Sequence, residues 1–229
     1  YVFLVMALFA LVSGVVTLRL TGQARERIHV TRQQAGFRAQ WQLVGSNRGV
    51  QLSILVTVLG MFALGVYGSY LPVYLESLAI SPLIIGVLVS LRAGVSMLVR
   101  PFMARIIALA GGRVPTVLLS LSTLATGLAF LGASEQLLLM AALAMLVGIG
   151  SGLTQPLSMV ILAESVERER RAGALGMRLM ANRAVHFLAP LFFGLLLELS
   201  GFTLAFAASG ILIGFALIVA HRLFSSGNL

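Results

Sequence analysis

The sequence predicts an all-α membrane protein, and three observations lead to that class. Hydrophobic residues make up 59% of the 229 residues, charged residues make up 10%, and the mean hydropathy is +1.03. This composition leaves too little polar surface to coat a soluble globule. In addition, apolar runs long enough to cross about 30 Å of hydrocarbon recur along the chain. The polar connectors between these runs alternate between Arg-rich and Arg-free.

The apolar runs define the elements in order. We expect one partial span and then six full spans, at 1–18, 51–75, 82–99, 114–132, 137–162, 177–197 and 202–221. The runs show no period-two alternation, and each exceeds the roughly ten residues of a barrel strand, so they are predicted to be helices. Because most connectors are short, consecutive helices should be antiparallel neighbours in a six-helix bundle.

The distribution of Arg sets the expected orientation. The connectors at 19–50, 100–113, 163–178 and 222–229 hold six, three, four and one Arg, whereas those at 76–81, 133–136 and 198–201 hold none. The Arg-rich side is therefore predicted to be cytoplasmic. The net charge of +9 and the pI of 11.5 follow from this topology, and nucleic-acid binding is disfavoured.

Residue usage adds two expectations. All sixteen cationic side chains are Arg, and Lys and Asp are absent, which suggests a GC-rich bacterial genome and hence a bacterial cytoplasmic membrane. Cysteine is also absent, which excludes disulfides and thiolate chemistry. The chain begins inside an apolar run, so residues 1–18 read as the end of a preceding helix, with more membrane protein upstream.

The polar connectors complete the predicted organisation. Residues 19–50 read as a cytoplasmic linker with Trp41 at the membrane interface, residues 51–221 as the six-helix bundle, and residues 222–229 as a cytoplasmic tail.

The loop after the second full span carries a partial motif. Residues 100–113 read RPFMARIIALAGGR, which echoes the pattern Gly-x-x-x-Asp-x-x-Gly-Arg-Arg. Arg100 opens this loop, Gly111 and Arg113 fit the pattern, and the departures are Ala104, Ala108 and Gly112. With the long basic linker and the six spans, this loop makes the chain resemble the carboxy-terminal half of a twelve-helix major facilitator superfamily transporter.

Two further stretches refine that resemblance. Residues 148–156 and 173–183 look like the tenth to eleventh helices of bacterial drug and metabolite exporters of this superfamily. The resemblance implies that residues 1–18 end the sixth helix of the full protein. It also implies that an amino-terminal six-helix half of the same polypeptide is the partner of this bundle.

Arg92 is the first candidate for the solute pathway. It lies about ten residues into its span, near the bilayer midplane, where a lipid-facing Arg costs about 2.5–3.5 kcal/mol. Arg92 and Ser96 project in similar directions, away from a stripe formed by Gly86, Ser90 and Gly94 that can pack closely against a neighbouring helix. Arg92 is expected either to bind a substrate anion or transport carboxylate, or to form a structural ion pair with the other half.

The fifth full span has one polar face, formed by Arg178, Asn182, Arg183 and His186. Arg178 is expected to reach the cytoplasmic headgroups. Asn182, Arg183 and His186 lie deeper, where they either line the pathway or form hydrogen bonds between the two halves. His186 is also a candidate proton relay.

The remaining candidates lie in the first and fourth full spans. Gln155 lies beside Pro156, which permits a bend in a moving helix, and it is a candidate substrate contact. The glycines before it are inside an apolar run, so they do not form a phosphate-binding loop. Tyr67 and Tyr70 are candidates for an outer gate, although aromatic anchoring at the interface explains them as well.

The predicted function is secondary transport of a small solute, and export of drugs or metabolites is the main expectation. Uptake of an anionic or zwitterionic metabolite is the alternative. The lipid bilayer and the solute are expected partners, with protons as an option, although no complete span contains a deep carboxylate.

An intramembrane enzyme is disfavoured, because Asp is absent and His29, His186 and His221 lie in different regions. A membrane sensor is a further alternative. No cofactor or metal site is predicted.

Overall fold

The computed structural model describes residues 11–14 and 37–225 and divides the chain into two units, 1–34 and 35–229. In the first unit, residues 11–14 are helical. All other described residues belong to the second unit. The rest of the predicted preceding helix, most of the predicted linker and residues 226–229 of the predicted tail lie outside the described residues.

The described part of the second unit consists of helices and short turns, with no strand among residues 37–225. This confirms the prediction of helices rather than strands. Two short helices and a 3₁₀ turn accompany the long ones. The elements are α1 (Phe37–Ser46), α2 (Arg48–Ser77), α3 (Pro82–Val99), the 3₁₀ turn (Arg100–Phe102), α4 (Met103–Leu109), α5 (Arg113–Leu131), α6 (Leu137–Ser165) and α7 (Arg171–Ser225).

Several helix ends follow directly from the residues there. Asn47 caps α2, because its side-chain oxygen accepts a hydrogen bond of 3.1 Å from the backbone N–H of Val50. Pro82 occupies the first turn of α3, where its missing N–H costs nothing. Between α4 and α5 the chain turns through Gly111 and Gly112, whose φ angles of 81° and 135° are readily adopted only by glycine.

Five helices among the described residues are long and apolar enough to cross a membrane, judged by length and composition. The last of them, Arg171–Arg222, has 52 residues. Its backbone leaves helical geometry at Gly201, where φ is 75° and ψ is 172°. The predicted connector 198–201 coincides with this interruption.

The contacts on either side of Gly201 show that the chain reverses direction there. Before Gly201, α7 runs parallel to α2: Gly65 approaches Ala189, and Tyr70 bonds to Pro190. After Gly201 it runs antiparallel to α5, since Gly132 approaches Phe202 and Gly210 approaches Ala125 and Ala129. A glycine at the reversal is explained by the positive φ angle.

Helix α2 is the most enclosed element. Of its apolar window 72% is buried, against 11% for the helical stretch Pro82–Leu109 that contains α3. The core forms mainly between α2, α5, α6 and α7. Its largest fully buried side chains include Leu71, Leu75, Leu121, Leu124, Tyr67, Phe193 and Phe206.

Helix α3 packs on α6 through glycine, but not through the expected stripe. A Cβ atom on Gly148 would lie 2.7 Å from the carbonyl oxygen of Arg92, and one on Gly152 would lie 2.7 Å from that of Ser96. Ser96 is only 5% exposed. The stripe of Gly86, Ser90 and Gly94 is exposed in the described structure, so no described helix packs on it, and its packing against a neighbouring helix stays a prediction. The glycines of α6 permit the close approach instead.

Candidate functional site

Arg92 lies against an aromatic ring rather than a carboxylate. Its guanidinium carbon is 5.3 Å from the centre of the Tyr67 ring, a distance suited to a cation–π contact. Tyr67 is 1% exposed and donates a hydrogen bond of 3.2 Å to the carbonyl of Leu88, one turn before Arg92 on α3. The Nε of Arg92 is buried and has no hydrogen-bond partner among the described residues. Arg92 therefore retains an unused donor.

A second group of polar side chains lies between α2, α6 and α7, and we name it the polar cluster: Ser53, Met61, Gln155, Ser158 and Arg178. One Nη atom of Arg178 donates to the side-chain oxygen of Gln155 at 3.1 Å and to the hydroxyl of Ser158 at 2.8 Å. The same atom lies 3.4 Å from the backbone carbonyl of Gln155. The predicted solute contact Gln155 is thus joined to an arginine of α7.

Helix α2 closes the polar cluster from the other side. The side-chain amide nitrogen of Gln155 donates to the Met61 sulfur at 2.8 Å, and Ser53 donates to the Ser158 carbonyl at 2.6 Å. Ser158 also donates to the Gln155 carbonyl at 2.8 Å, beside Pro156. These bonds hold the middle of α6, where Pro156 supplies no backbone donor.

The structure corrects the expectation for Arg178. Its side chain is 7% exposed and points into the bundle, so the prediction that it reaches the headgroups was wrong. Acceptors on α6 explain this orientation, because they satisfy the buried guanidinium better than apolar surroundings would. Arg178 lies 23 residues after Gln155, and the two meet because α6 and α7 both pack on α2.

The other polar residues of α7 do not join this cluster. Arg183 and His186 are exposed, and Asn182 is partly buried with a side-chain oxygen that has no partner in the described structure. The predicted polar face therefore divides, with Arg178 inside the bundle and Arg183 and His186 on its surface.

The predicted gate residue Tyr70 and the nearby Tyr74 tie α2 to its neighbours. Tyr70 donates to the Pro190 carbonyl at 2.7 Å and packs on Phe193 with ring centres 4.5 Å apart. Tyr74 donates to the Gly132 carbonyl at 3.3 Å. We call this part of the bundle the aromatic half; its members are Tyr70, Tyr74, Phe193, Phe202 and Phe206.

The opposite part, the Arg-rich half, holds the polar cluster and the ends of α2, α5 and α6 near Asn47, Arg113 and Ser165. Arg113 of the loop motif forms a two-pronged ion pair with Glu164, in which the second contact is a hydrogen bond of 2.6 Å. Asn47 donates to the Ser165 carbonyl at 2.6 Å. Sequence analysis found Arg113 but not its partner, which lies 51 residues away on α6.

A cavity of about 820 Å³ opens beside that ion pair. It is lined at the ends of α2, α5 and α6 by residues that include Asn47, Arg48, Gly112, Arg113 and Glu164. Arg100 and Gly111, the other residues of the loop motif, are exposed. Among the described residues, no group of three or more His, Cys, Asp or Glu side chains is placed to hold a metal ion.

Comparison with known families decides the identity of this helical bundle. The model of the Major Facilitator Superfamily matches residues 54–226. The chain belongs to this superfamily. Its members are transporters rather than enzymes, which agrees with the predicted class of function. A comparison with curated proteins gave no match. Thus the resemblance drawn from the basic linker, the loop motif and the apolar runs is confirmed at the level of the superfamily.

Proposed function

We propose that this protein is a secondary active transporter that exports a drug or metabolite by alternating access. One observation carries the proposal. In this member of a transporter superfamily, polar side chains around Gln155 and Arg178 are buried between apolar helices, and no carboxylate is bonded to them among the described residues. Polar groups inside membrane helices are costly and usually mark a solute pathway. In such transporters the solute binds between two bundles that rock about it.

The last helix supports six crossings by this bundle. At about 1.5 Å per residue, the 52 residues of Arg171–Arg222 are more than twice the length needed for about 30 Å of hydrocarbon. The reversal at Gly201 lets this stretch cross twice.

The Arg-rich half is proposed to face the cytoplasm, with the linker and the carboxy terminus on the same side of a bacterial cytoplasmic membrane. This follows from the positive-inside rule, because Arg48, Arg113 and Arg171 all lie at that end.

An amino-terminal six-helix half of the same polypeptide is the proposed partner. Arg183 and His186 are exposed on this bundle, and a lipid-facing Arg deep in the membrane costs about 2.5–3.5 kcal/mol. A second bundle that covers this side of α7, together with the exposed surface of α3, would remove that cost.

The site residues have separate proposed roles. Gln155 contacts the solute, and Pro156 allows α6 to bend beside it. Arg92, with its unused Nε donor, faces the pathway above Tyr67. Asn182, Arg183 and His186 form the wall shared with the amino-terminal half, and His186 is the available proton-relay group on this side.

The test is flux through the full-length protein in sealed proteoliposomes, with a pH gradient imposed in either direction. We expect gradient-dependent movement of one solute class, which a protonophore abolishes if protons are the coupling ion. Empty liposomes are the control. Arg92→Gln tests the role of Arg92: if Arg92 contributes about 1.4 kcal/mol to solute binding, the variant should move solute about tenfold more slowly at solute concentrations well below saturation. Absence of flux for every solute tested, with the protein inserted and folded, would contradict the proposal.

An uptake carrier for an anionic metabolite is the second candidate, because two arginines in the membrane region, Arg92 and Arg178, have no carboxylate partner among the described residues. Net movement of an anion toward the cytoplasmic side, the reverse of export, would favour the uptake carrier.

A further inference from the structure

The buried guanidinium of Arg178 has no counter-charge in the described bundle. It is 7% exposed, and the ion pair found among the described residues joins Arg113 to Glu164 instead. Its acceptors are the neutral groups of Gln155 and Ser158. A buried charge that is hydrogen-bonded but not neutralised attracts an anion strongly, because the low dielectric screens it little.

The hydrogen bonds of Arg178 leave donors unused. A guanidinium has five N–H groups. All of the described bonds of Arg178 leave from a single Nη atom, and its Nε is buried without a partner. The other Nη has no acceptor among the described residues.

Gln155 is held in the orientation that adds another donor. Because its side-chain oxygen accepts from Arg178, its amide nitrogen must point the other way, toward Met61. A thioether sulfur is a weak acceptor, so a ligand oxygen atom in its place would accept a stronger hydrogen bond from the Gln155 amide. The hydroxyl of Ser158 is already engaged, since it donates to the Gln155 carbonyl and accepts from Arg178.

Arg178 and Gln155 therefore offer unused or weakly used donors around one positive charge. We propose that Arg178 and Gln155 form a binding site for an oxyanion group, a carboxylate or phosphate, on the transported solute. Arg178 supplies the charge and an N–H group, Gln155 supplies its amide N–H groups, and Met61 occupies the acceptor position when the site is empty. The identity of the anion as part of the solute rests on the proposed transport function.

The test measures the melting temperature (Tm) of the purified full-length protein in detergent. The probes are acetate, benzoate and inorganic phosphate, each compared with chloride at equal ionic strength. At an anion concentration about ten times its Kd, we expect the Tm of the parent to rise by about 3 °C. Arg178→Gln should lose this rise, whereas Arg168→Gln, which removes the same charge from an exposed connector, should keep it.

A second variant keeps the test decisive if Arg178→Gln folds poorly. Gln155→Glu places a carboxylate next to Arg178 and so supplies the missing counter-charge. We expect this variant to melt at a higher temperature than the parent without anion and to show no response to oxyanions.

Two outcomes would overturn the proposal. One is an oxyanion response that is absent in the parent or retained in Arg178→Gln. The other is a lower Tm for Gln155→Glu, which would mean that a carboxylate of the amino-terminal half already neutralises Arg178. Flux assays separate this result from the transport proposal: flux without an oxyanion response contradicts the anion site alone, and an oxyanion response without flux contradicts transport alone.

Discussion

The Arg-rich half and the aromatic half both join α2 to α7, but by different chemistry. In the Arg-rich half, α2, α6 and α7 meet through hydroxyl, amide and guanidinium hydrogen bonds, such as that from Ser53 to Ser158. In the aromatic half, α2 meets the parts of α7 before and after Gly201 through packed rings, with Phe206 between Phe193 and Tyr74.

This difference indicates which half can rearrange. Hydrogen bonds between membrane helices average about 0.6 kcal/mol, and a ligand or a second bundle can replace them. Interlocked rings offer no such exchange, because any movement leaves a void. We therefore expect solute-dependent changes in the Arg-rich half, with the aromatic half as the part that stays fixed.

The largest expected effect is in the aromatic half. Phe206→Ala removes a side chain that is 0% exposed and contacts three aromatic rings, so we expect a loss of about 3 kcal/mol in the free energy of unfolding. Phe215→Ala is the matched control, since Phe215 lies on the same segment and is 65% exposed. Denaturant titration in detergent measures both. Equal losses would show that the ring cluster is not a tightly packed core.

The next effect concerns the hydroxyl of Tyr70. Tyr70→Phe keeps the ring contact with Phe193 but removes the hydroxyl that donates to the Pro190 carbonyl, so we expect a loss of about 1 kcal/mol in the same titration. Ser69→Ala, an exposed neighbour, should change the unfolding free energy little. A loss as large as that of Phe206→Ala would show that the aromatic half is stabilised mainly by hydrogen bonding rather than by packing.

A smaller effect is expected in the polar cluster. Ser53→Ala removes the hydrogen bond to the Ser158 carbonyl and should cost about 0.6 kcal/mol. Ser90→Ala on the exposed face of α3 is the control. If Ser53→Ala cost more than Tyr70→Phe, the Arg-rich half would be the rigid one, opposite to our expectation.

The smallest effect should come from the ion pair of Arg113 and Glu164, whose side chains are each 46% exposed. Solvent screens such pairs, so a double-mutant cycle with Arg113→Gln and Glu164→Gln should give a coupling energy of about 0.5 kcal/mol. The coupling should fall at high salt. A coupling that is large and independent of salt would mean that the pair is buried in the full protein.

Much of the helical fold was predictable because hydropathy and helix length are local properties. The apolar runs at 51–75 and 137–162 lie within α2 and α6, and the gap at 198–201 marks the reversal at Gly201. Helix α1, inside the predicted polar linker, was not predicted, because its sequence lacks an apolar run.

The pairing of polar side chains was not predictable in the same way. Helical periodicity places Arg178, Asn182, Arg183 and His186 on one face, yet it does not say which neighbouring helix covers which part. Arg178 meets Gln155 because α6 and α7 both pack on α2, and Arg113 meets Glu164 because α5 and α6 pack against each other. Both contacts depend on tertiary packing between positions 23 and 51 residues apart.

The concentration of arginine at one end of the bundle also determines where a soluble protease can act. Trypsin cleaves only after Arg and Lys, and Lys is absent from this chain. Arg105, Arg168 and Arg170 are exposed at the Arg-rich end, and Arg100 is followed by a proline that resists cleavage. In sealed vesicles that expose the Arg-rich end to the outside, trypsin should therefore cut the chain into short fragments. In vesicles of the opposite orientation, the chain should stay intact.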